Sequence, residues 1–237
     1  MNNHLEIIAK SYDKAIETGR KENNGMDPYK NLPEYIKNDP DYIKYEMEIN
    51  GKSYENESDD IIEYLSPKSN MKFIDLGCAL KLMFKGYDKW ESEYYGVDIS
   101  KNTIDLLNEY VNNNNLIIGK LYCGSIDKIP FNDNYFEIGE CIGIFEYYDS
   151  IYLKNVVKEI YRIMKPDGKF VLDIPNIKSP SGRIMCLIEE YLERPCKFNI
   201  FENKFEDMIR EYFEIVKKDN GNGNSMGIRY YLKVKNK

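Results

Sequence analysis

Two stretches of the sequence place an acid at the end of a short apolar run. The first, KFIDLGCA at residues 72–79, carries Asp75 and then Gly77, and the second, YYGVDIS at residues 94–100, carries Asp98. Such runs are typical of buried parallel strands, whose carboxyl ends meet at one edge of a sheet. Small residues let backbone N–H groups approach a ligand, and a nearby acid can accept hydrogen bonds from ribose hydroxyls. The two stretches therefore indicate a nucleotide-like ligand at this edge.

Three further segments continue the pattern in the same order along the chain. They are GSIDKIPF at residues 124–131, residues 135–148, and EIYRIMKPDGKFVL at residues 159–172. With the first two, this ordered set resembles the class I S-adenosylmethionine-dependent methyltransferases, close to their small-molecule, methyltransferase type 11-like branch. The resemblance covers roughly residues 72–175. It implies a Rossmann-like, doubly wound α/β fold with a seven-stranded, mostly parallel sheet, an antiparallel C-terminal hairpin strand and helices on both faces.

The resemblance implies that S-adenosylmethionine is the cofactor and that it binds at the carboxyl ends of the strands. Asp75 and the backbone of the turn after it would hold the methionine end, and Asp98 would accept hydrogen bonds from the ribose hydroxyls. The residues expected to bind the cofactor are Tyr12, Asp75, Gly77, Cys78, Ala79, Lys81, Asp98, Ile99, Ser125, Ile126, Cys141 and Gly143.

Several of these positions have individual expectations that follow from the resemblance. Ile99 would pack against the adenine face, and Ile126 would donate its backbone N–H to the ring. The family commonly has an acid at the position of Ser125, so here either the hydroxyl accepts from the adenine amino group or Asp127 does so. Residues 141–143 would line the floor beneath the sulfonium.

The first turn departs from the family pattern G-x-G-x-G, because Ala79 and Lys81 occupy the second and third small positions. Ala79 costs little if its φ is negative, but it is strained if its φ is positive. Lys81 is expected either to be displaced outward or to pair with the carboxylate of the cofactor.

The acceptor side is predicted from the residues after the fourth strand. Methyl transfer depends mainly on positioning, and a base is needed only when the nucleophile arrives protonated. Many relatives have a Glu-His pair here, whereas this chain has Glu146 and Tyr147, which we take as the catalytic candidates. His4 is the sole imidazole, and we expect it at a frayed terminus without a catalytic role. Proton removal is then expected from Glu146, Asp149 or a tyrosine of a lid.

Residues 1–66 are predicted to form an N-terminal helical cap or lid, and residues 67–237 the methyltransferase core. Residues 4–18 have helical periodicity, Gly19 is the expected stop, and Tyr12 would either lie over the cofactor or pack this helix on the core. The segment 20–57 is interrupted by three prolines and rich in tyrosine, which predicts either a lid or a surface extension. The lid interpretation makes Tyr29 and Tyr35 substrate contacts. Asp149, after the fourth strand, is the third predicted substrate contact.

The composition limits the partners of the chain. The formal charge is −7 over 237 residues, which argues against nucleic-acid binding over a broad face. The N-terminus has no signal-peptide core, and five cysteines without a C-x-x-C pair favour reduced thiols in a cytoplasmic protein. With one histidine, a metal site is not expected. A small-molecule acceptor, methylated on nitrogen or oxygen without a membrane partner, is the prediction, and the oligomeric state is left open.

Three alternatives remain open from the sequence. Tyr161 and Lys165 form the Y-x-x-x-K pattern of nicotinamide-dependent reductases, although the glycine motif that opens that fold is absent from the sequence. A non-catalytic protein that binds the cofactor or a partner could use the same fold. A methyltransferase that acts on a protein or RNA is the third.

Overall fold

The computed structural model describes the backbone of residues 3–22, 32–51, 54–197, 202–223 and 225–237. Side chains are described over the same ranges except residues 3, 15–22, 50–51 and 54–59. Across this described part, no helix is long and apolar enough to cross a membrane.

A seven-stranded sheet forms the centre of the fold, with the strand order β3-β2-β1-β4-β5-β7-β6. The strands β1 to β5 pair in parallel, and β7 runs antiparallel between β5 and β6. The predicted Rossmann-like fold with an antiparallel C-terminal hairpin is therefore confirmed. The strands are β1 (Lys72–Leu76), β2 (Glu93–Asp98), β3 (Lys120–Cys123), β4 (Phe136–Cys141), β5 (Met164–Pro175), β6 (Phe213–Asp219) and β7 (Gly227–Val234).

Helices cover both faces of the sheet, and alternate residues of β1 therefore point into two different apolar clusters. Ile74 and Leu76 pack in the cluster that includes Ile8 of the first helix, whereas Phe73 packs with Leu107 on the other face. The helices are α1 (Asn3–Glu22), α2 (Glu34–Lys37), α3 (Tyr42–Gly51), α4 (Tyr54–Leu65), α5 (Lys81–Phe84), α6 (Lys101–Asn113), α7 (Ser150–Ile163), α8 (Pro180–Tyr191) and α9 (Glu202–Arg210).

The N-terminal segment packs on the core at two places. Leu5 and Ile8 of α1 are buried in the main apolar cluster. Leu32, Ile36 and Tyr45, from the region of α2 and α3, form a smaller cluster with residues of α8. Part of the predicted lid, residues 23–31 and 52–53, lies outside the described residues. The division of the chain at residue 66 and the lid both stay predictions.

Two helix boundaries differ from the sequence prediction. Helix α1 passes through Gly19 and ends at Glu22. A glycine costs a helix interior only about 1 kcal/mol, so it does not by itself stop a helix. The sequence also predicts a helix over residues 58–65 with Ser58 as its N-cap, but α4 begins earlier, at Tyr54.

The sequence Lys165-Pro166-Asp167-Gly168 predicts a turn before a strand that begins at Lys169, and in the structure these four residues lie within β5. Met164 pairs with Phe136 and Lys169 pairs with Ile138, so residues 165–168 are looped out between two paired registers. Asp167 has a φ of 61° in this loop. The turn prediction is therefore right locally, while the strand continues on both sides of it.

Candidate functional site

A narrow cleft of about 90 Å³ lies at the carboxyl ends of β1, β2 and β4, where the strand order reverses. Eight of the twelve residues predicted to bind the cofactor line it: Tyr12, Gly77, Ala79, Lys81, Asp98, Ile99, Ile126 and Gly143. Six residues that the prediction did not include as cofactor contacts complete the lining: Ile8, Gly124, Ile142, Ile144, Tyr147 and Tyr148. Of these six, Tyr147 is one of the two catalytic candidates, and its catalytic role stays a prediction.

Asp98 joins the two turns that frame the cleft. Its Oδ2 accepts a hydrogen bond from the Ala79 backbone N–H at 2.9 Å, and its Oδ1 accepts from the Ser100 N–H at 2.9 Å. Burial raises the pKa of the Asp98 carboxyl, and the two backbone donors oppose that rise. Each carboxylate oxygen has a second lone pair, so the side chain can still accept from a ligand in the cleft.

The first turn places two residues at positive φ, a conformation that glycine adopts easily and alanine does not. Gly77 has a φ of 68° and Ala79 a φ of 41°, so the strain anticipated for Ala79 at positive φ is present. Ile144 packs directly over Gly77, since a Cβ built there would lie 2.2 Å from Ile144 Cδ1. The Ile144 side chain therefore fills the part of the cleft next to the turn.

Lys81 lies at the base of the cleft and is almost fully buried. Its Nζ is 2.5 Å from Asp75 Oδ1 and 2.8 Å from Glu140 Oε1. Tyr94 donates to Asp75 at 3.1 Å, and Tyr87 donates to Glu140 at 2.8 Å. We call these five residues the buried ion network. The expectation that Lys81 is displaced outward is wrong, because two buried carboxylates attract its ammonium inward.

Two carboxylates share one ammonium in the buried ion network. Burial raises the pKa of Asp75 to about 7, although Lys81 beside it opposes the rise. The attraction of Asp75 and Glu140 outweighs desolvation at Lys81 and raises the pKa of its ammonium. The Asp75 side chain is thus committed to the network, which leaves the backbone of the turn as the part of this motif that faces the cleft.

Three other predicted cofactor residues point elsewhere. Cys78 and Cys141 are completely buried in the two apolar clusters. The Ser125 hydroxyl pairs with Asp127 and lies 2.5 Å from the Tyr152 hydroxyl. These side chains therefore do not line the cleft as described, although backbone contacts at their positions stay predicted. Because Ser125 and Asp127 contact each other, the two residues considered for the adenine amino group lie at the same place, and both stay candidates.

Helix α1 is anchored over the cleft by its polar side chains. Asp13 Oδ1 accepts from the Ser100 hydroxyl at 2.6 Å and from the Asn102 N–H at 3.2 Å. The Tyr12 hydroxyl donates to the Tyr147 hydroxyl at 3.0 Å. His4 Nε2 lies 2.6 Å from the Tyr147 carbonyl oxygen. The expectation of a frayed terminus at His4 is therefore wrong, because α1 packs against the loop after β4.

A second cavity of about 390 Å³ adjoins the cleft, and Ile142 and Gly143 line both. Gly143 has a φ of 72°, and a Cβ built on it would meet no atom within 4 Å, so this residue leaves the junction open. The cavity, which we call the acceptor cavity, is lined by Glu48, Asp60, Ile142, Gly143, Glu146, Asp173, Ile174, Pro175, Met185, Asp219, Gly221, Ser225, Met226, Gly227 and Arg229.

Glu146 is the predicted catalytic residue that lines the acceptor cavity. Burial and repulsion from Asp173 raise the pKa of its carboxyl to about 8. A carboxylate with this pKa can take a proton near neutral pH, as general-base catalysis requires. Tyr147, in contrast, donates to Glu189 Oε2 at 3.3 Å, and burial raises the pKa of its hydroxyl well above the ordinary value. A phenolate base at Tyr147 is therefore disfavoured.

The predicted substrate contacts lie away from the acceptor cavity or outside the described residues. Asp149 caps α7 by accepting from the Tyr152 N–H at 2.9 Å, and it pairs with Lys197 at 3.3 Å. These contacts lower the pKa of its carboxyl, which makes it a poor base. Tyr35 on α2 is largely exposed and lines neither cavity as described. Tyr29 lies outside the described residues.

Sequence reasoning missed most residues of the acceptor cavity. Asp173 carried a usable signal, because it precedes Pro175 at the carboxyl end of a strand, as Asp75 and Asp98 precede their turns. Glu48 and Asp219 carried none, since α3 and β6 reach this place only through the tertiary fold.

Comparison with known proteins adds a family match to this geometry. Residues 74–172 match the family model described as a methyltransferase domain. Over 113 residues the chain is 29% identical to the sterol 4-C-methyltransferase strm-1 of Caenorhabditis elegans, covering 47% of this chain and 33% of that protein. Over 82 residues it is 39% identical to the demethylmenaquinone methyltransferase of Geobacillus sp. (strain WCH70), covering 33% of each. The chain thus spans about a third of the length of these two curated relatives.

A solved structure extends the likeness to nearly the whole fold. The geranyl diphosphate C-methyltransferase of Streptomyces coelicolor A3(2), in complex with Mg²⁺, geranyl-S-thiolodiphosphate and S-adenosyl-L-homocysteine, gives a TM-score of 0.68. The sequence identity is 13%, and the alignment covers 99% of both chains. At this identity the likeness shows a common fold.

Proposed function

From the match of residues 74–172 to a methyltransferase domain, we propose that the chain is a class I S-adenosylmethionine-dependent methyltransferase that methylates a nitrogen or oxygen of a small molecule. One observation carries the proposal: the cleft at the strand ends and the acceptor cavity meet at Ile142 and Gly143. A donor in the cleft and an acceptor in the cavity would be brought together there, which is the main task of such an enzyme.

The residues of the cleft fit a nucleoside-containing methyl donor. Asp98 offers a buried carboxylate to ribose hydroxyls, and Ile99 and Ile126 offer apolar faces for a base. The donor supplies an electrophilic methyl group on a sulfonium. The cleft has a volume of only about 90 Å³ where Ile144 packs on Gly77. Because S-adenosylmethionine is larger than this, we expect the Ile144 side chain to rotate away when the donor binds.

The first prediction concerns Asp98. Replacing Asp98 with alanine should weaken the binding of S-adenosylmethionine and S-adenosylhomocysteine about 10- to 150-fold, because a charge-assisted hydrogen bond contributes about 1.5–3 kcal/mol. Isothermal titration calorimetry measures this loss. Unchanged affinity for both ligands would remove Asp98 from the binding site and with it the main cofactor assignment.

The control has to separate ligand binding from the structural role of Asp98, which also holds the turns at Ala79 and Ser100. Asp98→Asn keeps the size of the side chain and one acceptor oxygen. Asp105→Asn removes a charge from the exposed face of α6, where Asp105 pairs with Lys101. We expect Asp105→Asn to bind both ligands like the wild type, and thermal unfolding of each variant shows whether the fold is kept.

The second prediction concerns residues 20–57. The lid interpretation predicts that this segment gains protection from hydrogen exchange when S-adenosylhomocysteine and an acceptor bind. Peptides from β1 provide the internal control, because this strand is buried in the centre of the sheet. Strong and equal protection with and without ligands would instead identify a fixed extension of the core.

Two alternatives predict different results in the same assays. A non-catalytic binding protein would bind S-adenosylhomocysteine but transfer no methyl group to any acceptor. A methyltransferase for proteins or RNA would label macromolecules in preference to small molecules. The acceptor cavity favours the small-molecule proposal, because its volume lies in the range of ligand pockets.

A further inference from the structure

A chain of hydrogen bonds runs from a buried carboxylate on α8 to the cleft. Glu189 accepts from the Tyr147 hydroxyl at 3.3 Å, and the Tyr147 oxygen accepts from the Tyr12 hydroxyl at 3.0 Å. Tyr12 and Tyr147 line the cleft, whereas Glu189 does not line it and is only 5% exposed. We call these three residues the hydroxyl chain. Glu189 lies behind the wall of the cleft and can act on a ligand there only through the two hydroxyls.

The partners of Glu189 fix the direction of the hydroxyl chain. Arg194 donates to its Oε1 at 2.8 Å in a largely buried pair, and the Cys196 thiol donates to its Oε2 at 3.4 Å. A carboxylate that is paired with a guanidinium accepts hydrogen bonds and has none to donate. The Tyr147 proton must therefore point at Glu189, and the Tyr12 proton must point at Tyr147.

This direction leaves the Tyr12 oxygen with only lone pairs to offer to the cleft. The hydroxyl proton of Tyr12 is used on Tyr147, and no donor among the described residues forms a hydrogen bond to the Tyr12 oxygen. Burial and repulsion from Glu146 raise the pKa of the Tyr12 hydroxyl, so the proton stays in place near neutral pH. The cleft therefore presents a fixed hydrogen-bond acceptor at Tyr12, which attracts positive charge.

The hydroxyl chain lies beside the passage where the cleft meets the acceptor cavity. Glu146 lines the cavity and its neighbour Tyr147 lines the cleft, while Ile142 and Gly143 line both. Methyl transfer requires the reactive centre of the donor at this passage. C–H groups that are polarised by a positive charge donate weakly to an oxygen lone pair, whereas the lone pairs of a neutral thioether are repelled by that oxygen.

We propose that Glu189 is a positioning residue, which orients the hydroxyls of Tyr147 and Tyr12 so that the cleft holds a sulfonium donor more tightly than the neutral thioether left after transfer. This inference rests on the proposed function, because it assigns a preference to the same cleft. In the transfer, a lone pair of the acceptor forms the bond to the methyl carbon while the C–S bond breaks. The electron pair of that bond stays on sulfur, which becomes neutral, so the attraction at Tyr12 ends and release of the product is favoured.

Replacing Glu189 with glutamine should reverse the direction of the hydroxyl chain. Arg194 can only donate, so the amide oxygen of the glutamine should stay beside Arg194 and its NH₂ group should face Tyr147. Tyr147 then accepts from the amide and donates to Tyr12, and the Tyr12 proton turns toward the cleft. A proton at this place disfavours positive charge, whereas Tyr12→Phe only removes the attraction.

Isothermal titration calorimetry of the full chain with S-adenosylmethionine, S-adenosylhomocysteine and sinefungin tests this inference. In sinefungin a carbon bearing an ammonium group replaces the methylated sulfur, so it is a second charged probe. The measured quantity is the dissociation constant of S-adenosylhomocysteine divided by that of each charged ligand. Relative to the wild type, this ratio should fall about two- to fivefold in Tyr12→Phe, as expected for a weak C–H hydrogen bond, and at least as much in Glu189→Gln.

Two control variants carry the same chemical changes away from the cleft. Tyr161→Phe removes an exposed hydroxyl that does not line the cleft, and Glu190→Gln changes an exposed acid next to Glu189 on α8. Both should keep the ratio of the wild type, and thermal unfolding shows whether each variant keeps its fold. If Glu189→Gln does not fold, Tyr147→Phe takes its place, because it interrupts the hydroxyl chain and should lower the ratio as Tyr12→Phe does.

The outcomes separate this inference from the proposed function. If neither S-adenosylmethionine nor S-adenosylhomocysteine binds the wild type, the proposed function fails. If both bind but the variants weaken all three ligands equally, or leave the ratio unchanged, the inference alone is overturned, because a merely structural role affects every ligand alike. A ratio that falls less in Glu189→Gln than in Tyr12→Phe would also overturn it, since Glu189 would then not orient the hydroxyls.

Discussion

Replacing Glu146 with glutamine should lower kcat about 10²–10⁴-fold, which is the usual contribution of a general base. Glutamine keeps the shape of the side chain but cannot take a proton from the acceptor. Cofactor affinity should stay within a few-fold of the wild type, because Glu146 lines the acceptor cavity and not the cleft. Steady-state kinetics on any acceptor that is methylated, with calorimetry for the donor, measures both effects.

The pH dependence gives an independent check on the same residue. A base has to be deprotonated to act, and the pKa of Glu146 is raised to about 8. The kcat/KM of the wild type should therefore rise with pH up to about 8 and then level off, and this rise should be lost in Glu146→Gln.

Two further variants test whether the effect belongs to Glu146 alone. Asp149→Asn preserves the cap of α7, since asparagine caps helices as well as aspartate does, and it should keep kcat within threefold. His4→Ala removes one hydrogen bond to the Tyr147 carbonyl, and its kcat/KM should fall by less than about tenfold. A loss below threefold for Glu146→Gln would instead favour catalysis by positioning alone, and a large loss for His4→Ala with intact cofactor binding would overturn this account.

Replacing Lys81 with methionine should destabilise the protein by about 3–5 kcal/mol, the usual cost of removing one partner from a buried ion pair. Methionine has a similar length but leaves the carboxylates of Asp75 and Glu140 without their ammonium. Denaturant unfolding at pH 8 measures the loss. Lys101→Met is the matched control, because Lys101 pairs with Asp105 on the exposed face of α6, where solvent screens the pair, so this variant should unfold nearly like the wild type.

The sign of the pH effect follows from the direction of the Asp75 shift. Its pKa in the folded protein, about 7, is above the ordinary value of 3.8, so its contribution to stability is lost as the pH rises through about 7. In Lys81→Met no ammonium opposes the rise in the pKa of Asp75, so the loss of stability with rising pH should become larger. The difference between variant and wild type should therefore shrink at pH 5, where Asp75 is protonated in both. A difference that is the same at pH 5 and pH 8 would contradict the buried ion network as its cause.

The fold and many residues of the cleft could be predicted because their signals are local. Asp75, Gly77 and Asp98 stand at strand ends in the sequence itself, and parallel strands bring such ends to one edge. The seven-stranded, mostly parallel sheet and its antiparallel hairpin followed from the resemblance, and the structure confirms both. Residues such as Gly77 and Ala79 line the cleft because of where the chain turns, which is visible in the sequence.

The buried ion network could not be predicted, because its carboxylates are 65 positions apart in the chain. The sequence shows that Lys81 replaces a small residue, but not that Glu140 of β4 lies beside Asp75 of β1. That neighbourhood depends on the pairing of β1 with β4. The acceptor cavity has the same origin, since Arg229 meets Asp173 and Asp219 only after β7 inserts between β5 and β6.

The position of Ile144 has a consequence for the time course of binding. With this side chain over Gly77, the narrow form of the cleft has to give way to a wider form before a donor can settle. We therefore expect association in two stages, with an observed rate that approaches the rate of widening of the cleft at high donor concentration. The apparent dissociation constant exceeds the intrinsic one by the reciprocal of the wide fraction. Replacing Ile144 with a smaller residue should therefore increase the association rate without changing the polar groups that recognise the donor.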